Sequence, residues 1–386
     1  MRTPPTQRDI ARALNLSQTS VAFALDPKHQ DRLPPETVAL IQAKAEEMRY
    51  QPRRIAKMLR SGRSHTIAVV MVSANLKAPQ ERVQFLAQCA IQAGYQLVAI
   101  DLDWFKRDEA AARQYLLDST AEGVVFCNVN SKEGSAWLDL LRDRAMPFIH
   151  LSSVGFEAGD RVHADIAEAY LRMTEHHLEM GARRPLLLLS ARDPGYTGAF
   201  SASITDRVDG FARAILAAGG KLTADDFPVS RFFPGKKPSN RTAKRDLVGQ
   251  IVHSERRPPV RDAFEMGYAQ ADRFIREKRE FDALICSNDE LASGAMAACM
   301  HHGVPVPEKV RISGGDNARY SRFGAVPLTT IVQPSLEMVE WSVRRIVELI
   351  ENAGSPQKYQ HRVFPCKLIC RQSTTGLRTP EASIPL

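Results

Sequence analysis

The sequence lacks any apolar run that could cross a bilayer. Its 386 residues contain no stretch approaching the ~20 consecutive apolar residues of a membrane-spanning helix. The first residues, MRTPP, lead directly into a helical pattern and do not resemble a signal peptide. We therefore expect a cytoplasmic protein with no membrane partner.

Cysteine is scarce and scattered. None of the six cysteines has neighbours at zinc-ligand spacing, and Cys366 and Cys370, the nearest pair, lie in a strand-like stretch without further His or Cys ligands. The sequence therefore predicts buried free thiols, no metal and no other cofactor, at positions Cys89, Cys127, Cys286, Cys299, Cys366 and Cys370.

Acidic residues are missing from one basic stretch. The net charge is +8, and residues 1–65 hold twelve Lys or Arg against six Asp or Glu. Between Arg49 and Arg63 there are six basic residues and no acid. Such a local excess is typical of a surface that contacts a phosphate backbone. A solvated basic face is the alternative, but it leaves the neighbouring helical pattern unexplained.

Two short helices separated by a tight turn are predicted next to this stretch. Thr6 is a natural N-cap with Asp9 in the capping-box position, so a first helix should run from about Gln7 to Leu14. Ser17 offers a second N-cap ahead of an apolar i, i+4 pair. This is the pattern of a helix-turn-helix, whose second helix presents its N-terminal side chains to DNA bases. Here those side chains are Gln18, Thr19, Ala22 and Phe23.

A third helix should complete this unit. Pro34 and Pro35 can open it, and Val38, Ile41, Ala45 and Met48 share its apolar face. We expect a DNA-binding domain over residues 1–52, followed by a short helical hinge and linker over residues 53–65.

From Thr66 onward the chain alternates strands and helices. Continuous apolar strands such as IAVVMV, followed by amphipathic helices, predict parallel, doubly wound sheets. A second series of the same kind begins after Asp165, which makes residues 66–386 a two-lobed α/β body with a ligand cleft beyond the strand carboxyl ends. Residues 231–261 interrupt the rhythm, because they are rich in Pro, Lys and Arg. We expect a mobile surface insertion there, with a second nucleic-acid contact as the alternative.

The combination of these parts resembles the LacI/GalR family of bacterial transcription regulators. The motifs that carry the resemblance are DIARALNLSQTSV, the hinge around Leu59, SNDELASGAM, SGGDN and PLTTIVQP, and together they span nearly the whole chain. The family implies an all-α helix-turn-helix domain followed by a periplasmic-binding-protein-like body. It also implies a homodimer that binds a pseudo-palindromic double-stranded DNA operator. The tail after Cys370 lacks a heptad repeat, so we expect a dimer and not a tail-linked tetramer.

The resemblance places DNA contacts in the first domain and the hinge. Leu59 matches the family's minor-groove wedge, although it could instead pack within a short amphipathic helix. Ala22 and Phe23 stand where the family usually has Ser and Arg, which predicts an unusual operator and an apolar contact with a thymine methyl or a sugar. The complete predicted set is Thr6, Ser17, Gln18, Thr19, Ala22, Phe23, Arg53, Arg54, Ala56, Lys57 and Leu59.

The resemblance also implies effector contacts in the cleft, at Arg207, Asn288, Asp289 and Asp316. Such donors and acceptors suit a polyhydroxyl ligand, so the expected effector is a sugar or a sugar derivative. For Asn288 and Asp289 the alternative role is to cap the following helix. Two positions depart from the family pattern. Asn317 replaces a second Asp, and Asp262 replaces a stacking aromatic, for which Phe264 is the nearest substitute.

Two other classes of function remain as alternatives. A solute-binding protein of a transport system shares the two-lobed body, but it would need export and would not carry a helix-turn-helix. An enzyme could use His163, Asp165 and Asp289 as acid-base groups. However, the sequence has no nucleophile elbow, no phosphate-binding glycine loop and no dinucleotide fingerprint at Ser313-Gly314-Gly315. We therefore expect a regulator, acting as a repressor, and not an enzyme.

Overall fold

A computed structural model divides the chain into two compact units, Met1–His65 and Thr66–Leu386. The residues that it describes are 5–26, 29–50, 62–71, 77–105, 108–129, 131–152, 158–190, 202–224, 247–254, 262–353 and 358–377.

The described part of the first unit contains three α-helices around one small core. Its elements are α1 (Gln7–Leu14), α2 (Gln18–Ala24), a 3-10 turn (Gln30–Arg32) and α3 (Pro35–Glu47). Ile10, Val21 and Ile41, one from each helix, are fully buried together. The predicted third helix and its apolar face are therefore confirmed.

Local capping explains where these helices begin. The Thr6 hydroxyl accepts a hydrogen bond from the Asp9 amide at 3.4 Å, and the Asp9 carboxylate accepts one from the Thr6 amide at 2.9 Å. This reciprocal pair is the capping box expected from the sequence. The Ser17 hydroxyl caps α2 by accepting from the Ser20 amide at 3.0 Å. Between the helices, Asn15 adopts a left-handed conformation with φ 52°, which Asn tolerates better than most residues.

The second unit contains two parallel sheets. The first has the strand order β12-β5-β4-β3-β1-β2 and the second the order β10-β9-β6-β8-β7. All pairings within both sheets are parallel, as the continuous apolar strands predicted. The strands are β1 (Thr66–Met71), β2 (Gln96–Asp101), β3 (Gly123–Cys127), β4 (Phe148–Leu151), β5 (Asp160–Ala164), β6 (Pro185–Ser190), β7 (Lys221–Ala224), β8 (Val248–Ser254), β9 (Ala283–Cys286), β10 (Arg311–Ser313), β11 (Thr330–Val332), β12 (His361–Phe364) and β13 (Lys367–Ile369).

Helices cover these sheets, and one apolar cluster continues from the first sheet to the second. The longest of the described helices, Ser335–Glu351, packs on β3, β4 and β5 of the first sheet. The helices of this unit are α4 (Lys77–Gln92), α5 (Glu109–Asp118), α6 (Ser131–Asp143), α7 (Ile166–Glu179), α8 (Ala202–Ala217), α9 (Ala263–Arg276), α10 (Asp289–His301), α11 (Arg319–Phe323), α12 (Ser335–Glu351) and α13 (Gln372–Thr375).

The chain passes between the two halves of the body in three places. It leaves the first sheet between β5 and α7, returns to it between β11 and α12, and leaves it again between β12 and β13. An antiparallel pairing of β11 with β13 joins two of these passages. Three segments of the chain therefore connect the two halves of the body. The carboxyl ends of β9 and β10 lie next to these connecting segments, because Asp289 and Asp316, which follow the two strands, hydrogen-bond to Thr330 of β11.

The prediction of a mobile surface insertion over residues 231–261 is wrong for part of this segment. Val248–Ser254 forms β8, which lies between β6 and β7 inside the second sheet, and Leu247 and Ile251 are buried. The apolar run from Leu247 to Val252 was the signal for this strand, but the surrounding Pro and Lys residues obscured it. The rest of the insertion, 231–246 and 255–261, lies outside the described residues.

The thiol prediction is only partly correct. Cys127, Cys286 and Cys299 are buried and free, whereas Cys370 is exposed and Cys89 and Cys366 are intermediate.

Candidate functional site

The recognition surface of the first unit lies at the start of α2. Ser17, Gln18 and Thr19 are exposed there, whereas Ala22 and Phe23 are partly buried. The Thr6 and Ser17 hydroxyls are already engaged in capping, so any DNA contact they make would use their remaining hydrogen-bonding capacity. These six side chains remain predicted DNA contacts.

Phe23 does not present an open ring. His29 stacks on it with ring centroids 5.7 Å apart, and the Arg32 guanidinium carbon lies 5.3 Å from the ring centroid. His29 is in turn 3.0 Å from the Asp26 carboxylate. Polar and charged groups thus surround the aromatic residue that replaces the family's Arg.

The predicted hinge contacts lie outside the described residues. They are Arg53, Arg54, Ala56, Lys57 and Leu59.

In the second unit, Asn288 has the capping role that the sequence left open. Its side-chain oxygen accepts a hydrogen bond from the Leu291 amide at 2.8 Å, at the start of α10. The residue is 8% exposed and lies two positions after the end of β9. Asn288 therefore fixes the start of the helix at the carboxyl edge of the sheet, whereas Asp289 does not cap this helix.

Asp289 organises the loop that follows β10. One carboxylate oxygen accepts from the Thr330 hydroxyl at 2.5 Å and from the Asp316 amide at 3.1 Å, while the other accepts from the Ala318 amide at 2.6 Å. The residue is fully buried. Three donors converge on this carboxylate, so its observed contacts position the loop that carries Asp316.

Arg207 is buried against a tyrosine of α7. Its Nε donates to the Tyr170 hydroxyl and to the Ser287 carbonyl, both at 3.1 Å, and its guanidinium carbon lies 5.3 Å from the Tyr170 ring centroid. Tyr170 donates to the Cys286 carbonyl at 3.0 Å. This chain of contacts connects α8, α7 and the end of β9, and sequence reasoning missed Tyr170 as a part of it.

A pocket brings Asp316 together with residues of both halves of the body. It is lined by Glu81, Phe85, Asp316, Asn317, Val332, Gln333, Ser335, Leu336 and Glu337. Its lining is rich in carboxylates and amides, which can accept hydrogen bonds from hydroxyl groups. Phe264, which is 41% exposed, is not among the described residues that line it. Arg207, Asn288 and Asp289 are likewise not among the described residues that line it.

Arg82 is a further buried cation near the pocket, and the sequence did not reveal it. It is 2% exposed, and it donates to the Asn128 side chain at 2.8 Å and to the Gln333 side chain at 2.6 Å. Burial lowers the pKa of its guanidinium. Arg82 therefore connects α4 and the end of β3 to the passage between β11 and α12. No local sequence signal pointed to Arg82, because its partners Asn128 and Gln333 are 46 and 251 positions away along the chain.

The two departures from the family pattern have local structural roles. Asn317 has φ 46°, a left-handed conformation that Asn adopts more readily than most residues, and its side chain accepts a hydrogen bond from Arg371 at 2.8 Å. Asp262 caps α9 by accepting from the Glu265 amide at 2.8 Å.

One carboxyl group beside Arg207 is electrostatically perturbed. Burial raises the pKa of Asp206 to about 6, and the positive charge of Arg207 limits the rise. The group therefore changes charge close to neutral pH, next to a predicted effector contact.

Two features are absent from the described residues. No helix among them is long and apolar enough to cross a membrane. No group of three or more His, Cys, Asp or Glu side chains there is arranged to hold a metal ion.

Comparisons with known proteins identify the family. The model for periplasmic binding proteins and the sugar binding domain of the LacI family matches residues 64–272, and that for a periplasmic binding protein-like domain matches residues 174–374. Two similar proteins are the HTH-type transcriptional regulator DegA of Bacillus subtilis and the HTH-type transcriptional repressor PurR of Pasteurella multocida. DegA is 23% identical over 96% of this chain and 98% of its own length; PurR is 24% identical over 95% and 98%.

Solved structures match the whole fold. The lac repressor dimer bound to operator and the anti-inducer ONPF has a TM-score of 0.73 at 19% identity, covering 96% of this chain and 99% of that one. The transcriptional regulator CelR in complex with cellobiose has a TM-score of 0.61, also at 19% identity, with the same coverage. Since a LacI-family model matches more than half of the sequence, this chain belongs to the LacI family of transcriptional regulators.

Proposed function

We propose that the chain is a sequence-specific DNA-binding repressor whose operator affinity is set by a small polyhydroxyl molecule bound between the halves of its body. The observation that carries this proposal is the exposed start of α2 in a capped helix-turn-helix, in the same chain as a LacI-family body. The relatives named as regulators and repressors support it.

The effector class rests on the pocket and on the neighbouring structures. Carboxylate and amide side chains line the pocket, and vicinal hydroxyl groups need several such partners. CelR was solved with cellobiose, and the family model is described as a sugar binding domain. We therefore propose a sugar or a sugar derivative as the effector of this chain.

The predicted DNA contacts belong to this proposal in the form of a homodimer on a pseudo-palindromic operator. Two copies of α2 would read the two half-sites. In the hinge, Leu59 would wedge into the minor groove, and the basic residues beside it would neutralise phosphates. If a Leu59→Ala protein binds its operator as tightly as the wild type does, the proposed minor-groove wedge is wrong.

The first test is DNA binding by the full chain. Duplexes selected from a random library by the wild-type protein should be bound about 10- to 100-fold more weakly by Gln18→Ala, because a base contact of a side chain such as Gln is worth about 1–3 kcal/mol. Gln42→Ala is the matched control, since Gln42 is also exposed but lies on α3. Equal loss in both variants, or no selected sequence at all, would contradict the proposal.

The second test is ligand binding. Sugars, sugar derivatives and nucleobases should be screened for a rise in the melting temperature of the full chain, because a ligand stabilises the state that it binds. A sugar that raises the melting temperature should also change the affinity for the selected duplex. Stabilisation by nucleobases alone would replace the proposed effector class.

A further inference from the structure

The turn before α3 carries an arginine that the recognition helix itself lacks. Arg32 is exposed, and its guanidinium lies over the ring of Phe23, 5.3 Å from the centroid. In the part of the first unit that the structure describes, no carboxylate forms an ion pair with Arg32; the nearby Asp26 is 3.0 Å from His29 instead. The guanidinium is therefore available to a partner outside the chain.

Phe23 places this guanidinium beside the base-reading surface. Thr19 and Phe23 are four residues apart on α2, so they are neighbours on one face of the helix. Thr19 is exposed at the start of the helix, while Phe23 is partly buried one turn later. A cation on the Phe23 ring consequently lies along the same face as Thr19.

Two anchors hold Arg32 in this position. The Gln30 side chain donates to the Ala24 carbonyl at 3.0 Å, which ties the turn to the end of α2. On the other side of Arg32, Leu33 packs against the core of the unit. His29 stacks on the Phe23 ring as well, so the ring contacts side chains from both ends of the turn. Because Gln30 and Leu33 are held in place, Arg32 loses little further conformational freedom when it contacts a partner.

We propose that Arg32, mounted on Phe23, contacts the operator and supplies the planar guanidinium that α2 does not carry. A guanidinium can bind either a phosphate or the O6 and N7 acceptors of guanine in a bidentate manner. Phe23 is then a positioning residue that orients Arg32 by a cation–π contact, and it does not itself read a thymine methyl. This inference rests on the proposed DNA-binding function.

The experiment measures affinity for a duplex selected by the wild-type chain from a random library. Arg32→Ala should weaken binding about 10- to 100-fold if a guanine is read. Phe23→Leu keeps an apolar side chain but removes the ring face, and should weaken binding about 2- to 5-fold, the factor equivalent to an exposed cation–π contact. Added to Arg32→Ala, it should cause almost no further loss, because its effect acts through Arg32.

The same variants distinguish the two possible DNA partners. With a guanine contact, Arg32→Ala relaxes selection at one base pair in each half-site. With a phosphate contact, it weakens all sequences alike and reduces the slope of log affinity against log salt by about one. Arg142→Ala is the charge control, because Arg142 lies on α6 of the body and is largely exposed.

Two results would overturn the inference without affecting the proposed function. One is an unchanged affinity in Arg32→Ala while Gln18→Ala weakens binding. The other is an additive effect of Phe23→Leu and Arg32→Ala, which would show that the ring and the guanidinium act separately. Failure of the wild type itself to select any duplex would instead contradict the proposed function. Circular dichroism at 222 nm should confirm that each variant retains its helices.

Discussion

Asp289 shows how one residue can match a family's ligand contact and still be occupied by its own chain. The sequence offered it as an effector contact or as a helix cap, yet its carboxylate accepts from Thr330, Asp316 and Ala318. Asn288 has the cap instead. The contacts of Asp289 are not local, because Thr330 is 41 positions away. Spacing along the chain could therefore suggest the two residues but could not assign their roles.

Replacing Asp289 by Asn should loosen the loop that carries Asp316. An amide has only one oxygen for three donors, so a buried N–H group would face another donor, at a cost of about 1–3 kcal/mol. We expect a melting temperature lower by a few degrees, measured by differential scanning calorimetry of the full chain. Asp139→Asn, at an exposed site on α6, should melt as the wild type does. An unchanged melting temperature with complete loss of the effector response would mean that Asp289 binds the ligand directly.

The elements were easier to predict than the site residues. Apolar runs and caps predicted the three helices of the first unit and most strands of the body, because those signals are local. The strand β5 was not predicted, since it begins with charged residues. Asp160 is nonetheless buried, because its carboxylate pairs with Arg345 at 3.1 Å. Arg82 was missed because its partner Gln333 is 251 positions away.

The close approach of α9 and α10 makes a prediction at the scale of elements. A Cβ atom added at Gly294 would lie 1.9 Å from the Phe264 carbonyl oxygen, and one at Gly267 would lie 2.0 Å from the Leu291 carbonyl oxygen. Each glycine thus lets the backbone of the other helix approach. The carbonyl groups in this reciprocal contact belong to the first turns of the two helices, which Asp262 and Asn288 cap.

Gly294→Ala should therefore destabilise the protein although alanine favours helices. The methyl group meets backbone and not a flexible side chain, so the helices must separate, at a cost of about 1–3 kcal/mol that exceeds the gain of about 1 kcal/mol in helix propensity. Urea unfolding followed by circular dichroism should show a lower midpoint. Gly324→Ala is the matched control, because a Cβ there would meet no atom closer than 3.6 Å. Equal midpoints for both variants would refute the close-contact argument.

At the scale of the whole molecule, buried histidines set the response to acid. Burial lowers the pKa of His177 to about 3 and that of His150 to about 4. Nε2 of His177 contacts the Ser313 hydroxyl at 2.8 Å, and its buried Nδ1 has no hydrogen-bond partner among the described residues. An imidazolium would carry an N–H at that atom, and the described residues offer no acceptor for it. Both histidines therefore stay neutral in the folded body while they protonate near pH 6.5 in the unfolded chain.

The sign of the pH dependence follows from this difference. Below pH 6.5 the unfolded chain binds more protons than the folded one. The free energy of unfolding therefore decreases as the pH is lowered from 6.5, by about 2 kcal/mol per histidine at pH 5. Asp206 acts in the opposite direction, because its raised pKa of about 6 makes the folded state bind a proton first. Its effect is on the order of 1 kcal/mol, since the group is partly solvated. The stability lost through the two histidines at pH 5 therefore exceeds the stability gained through Asp206.

The melting temperature should accordingly drop between pH 7.5 and pH 5, and His177→Gln should flatten that drop. The variant removes one of the two buried titrations while retaining a side chain that can hydrogen-bond to Ser313. At pH 7.5 it is expected to melt at or below the wild-type temperature, because glutamine fills the site less well. Asp206→Asn should steepen the drop, since it removes the opposing group. Parallel pH profiles for all three proteins would mean that neither His177 nor Asp206 titrates differently in the folded and unfolded states.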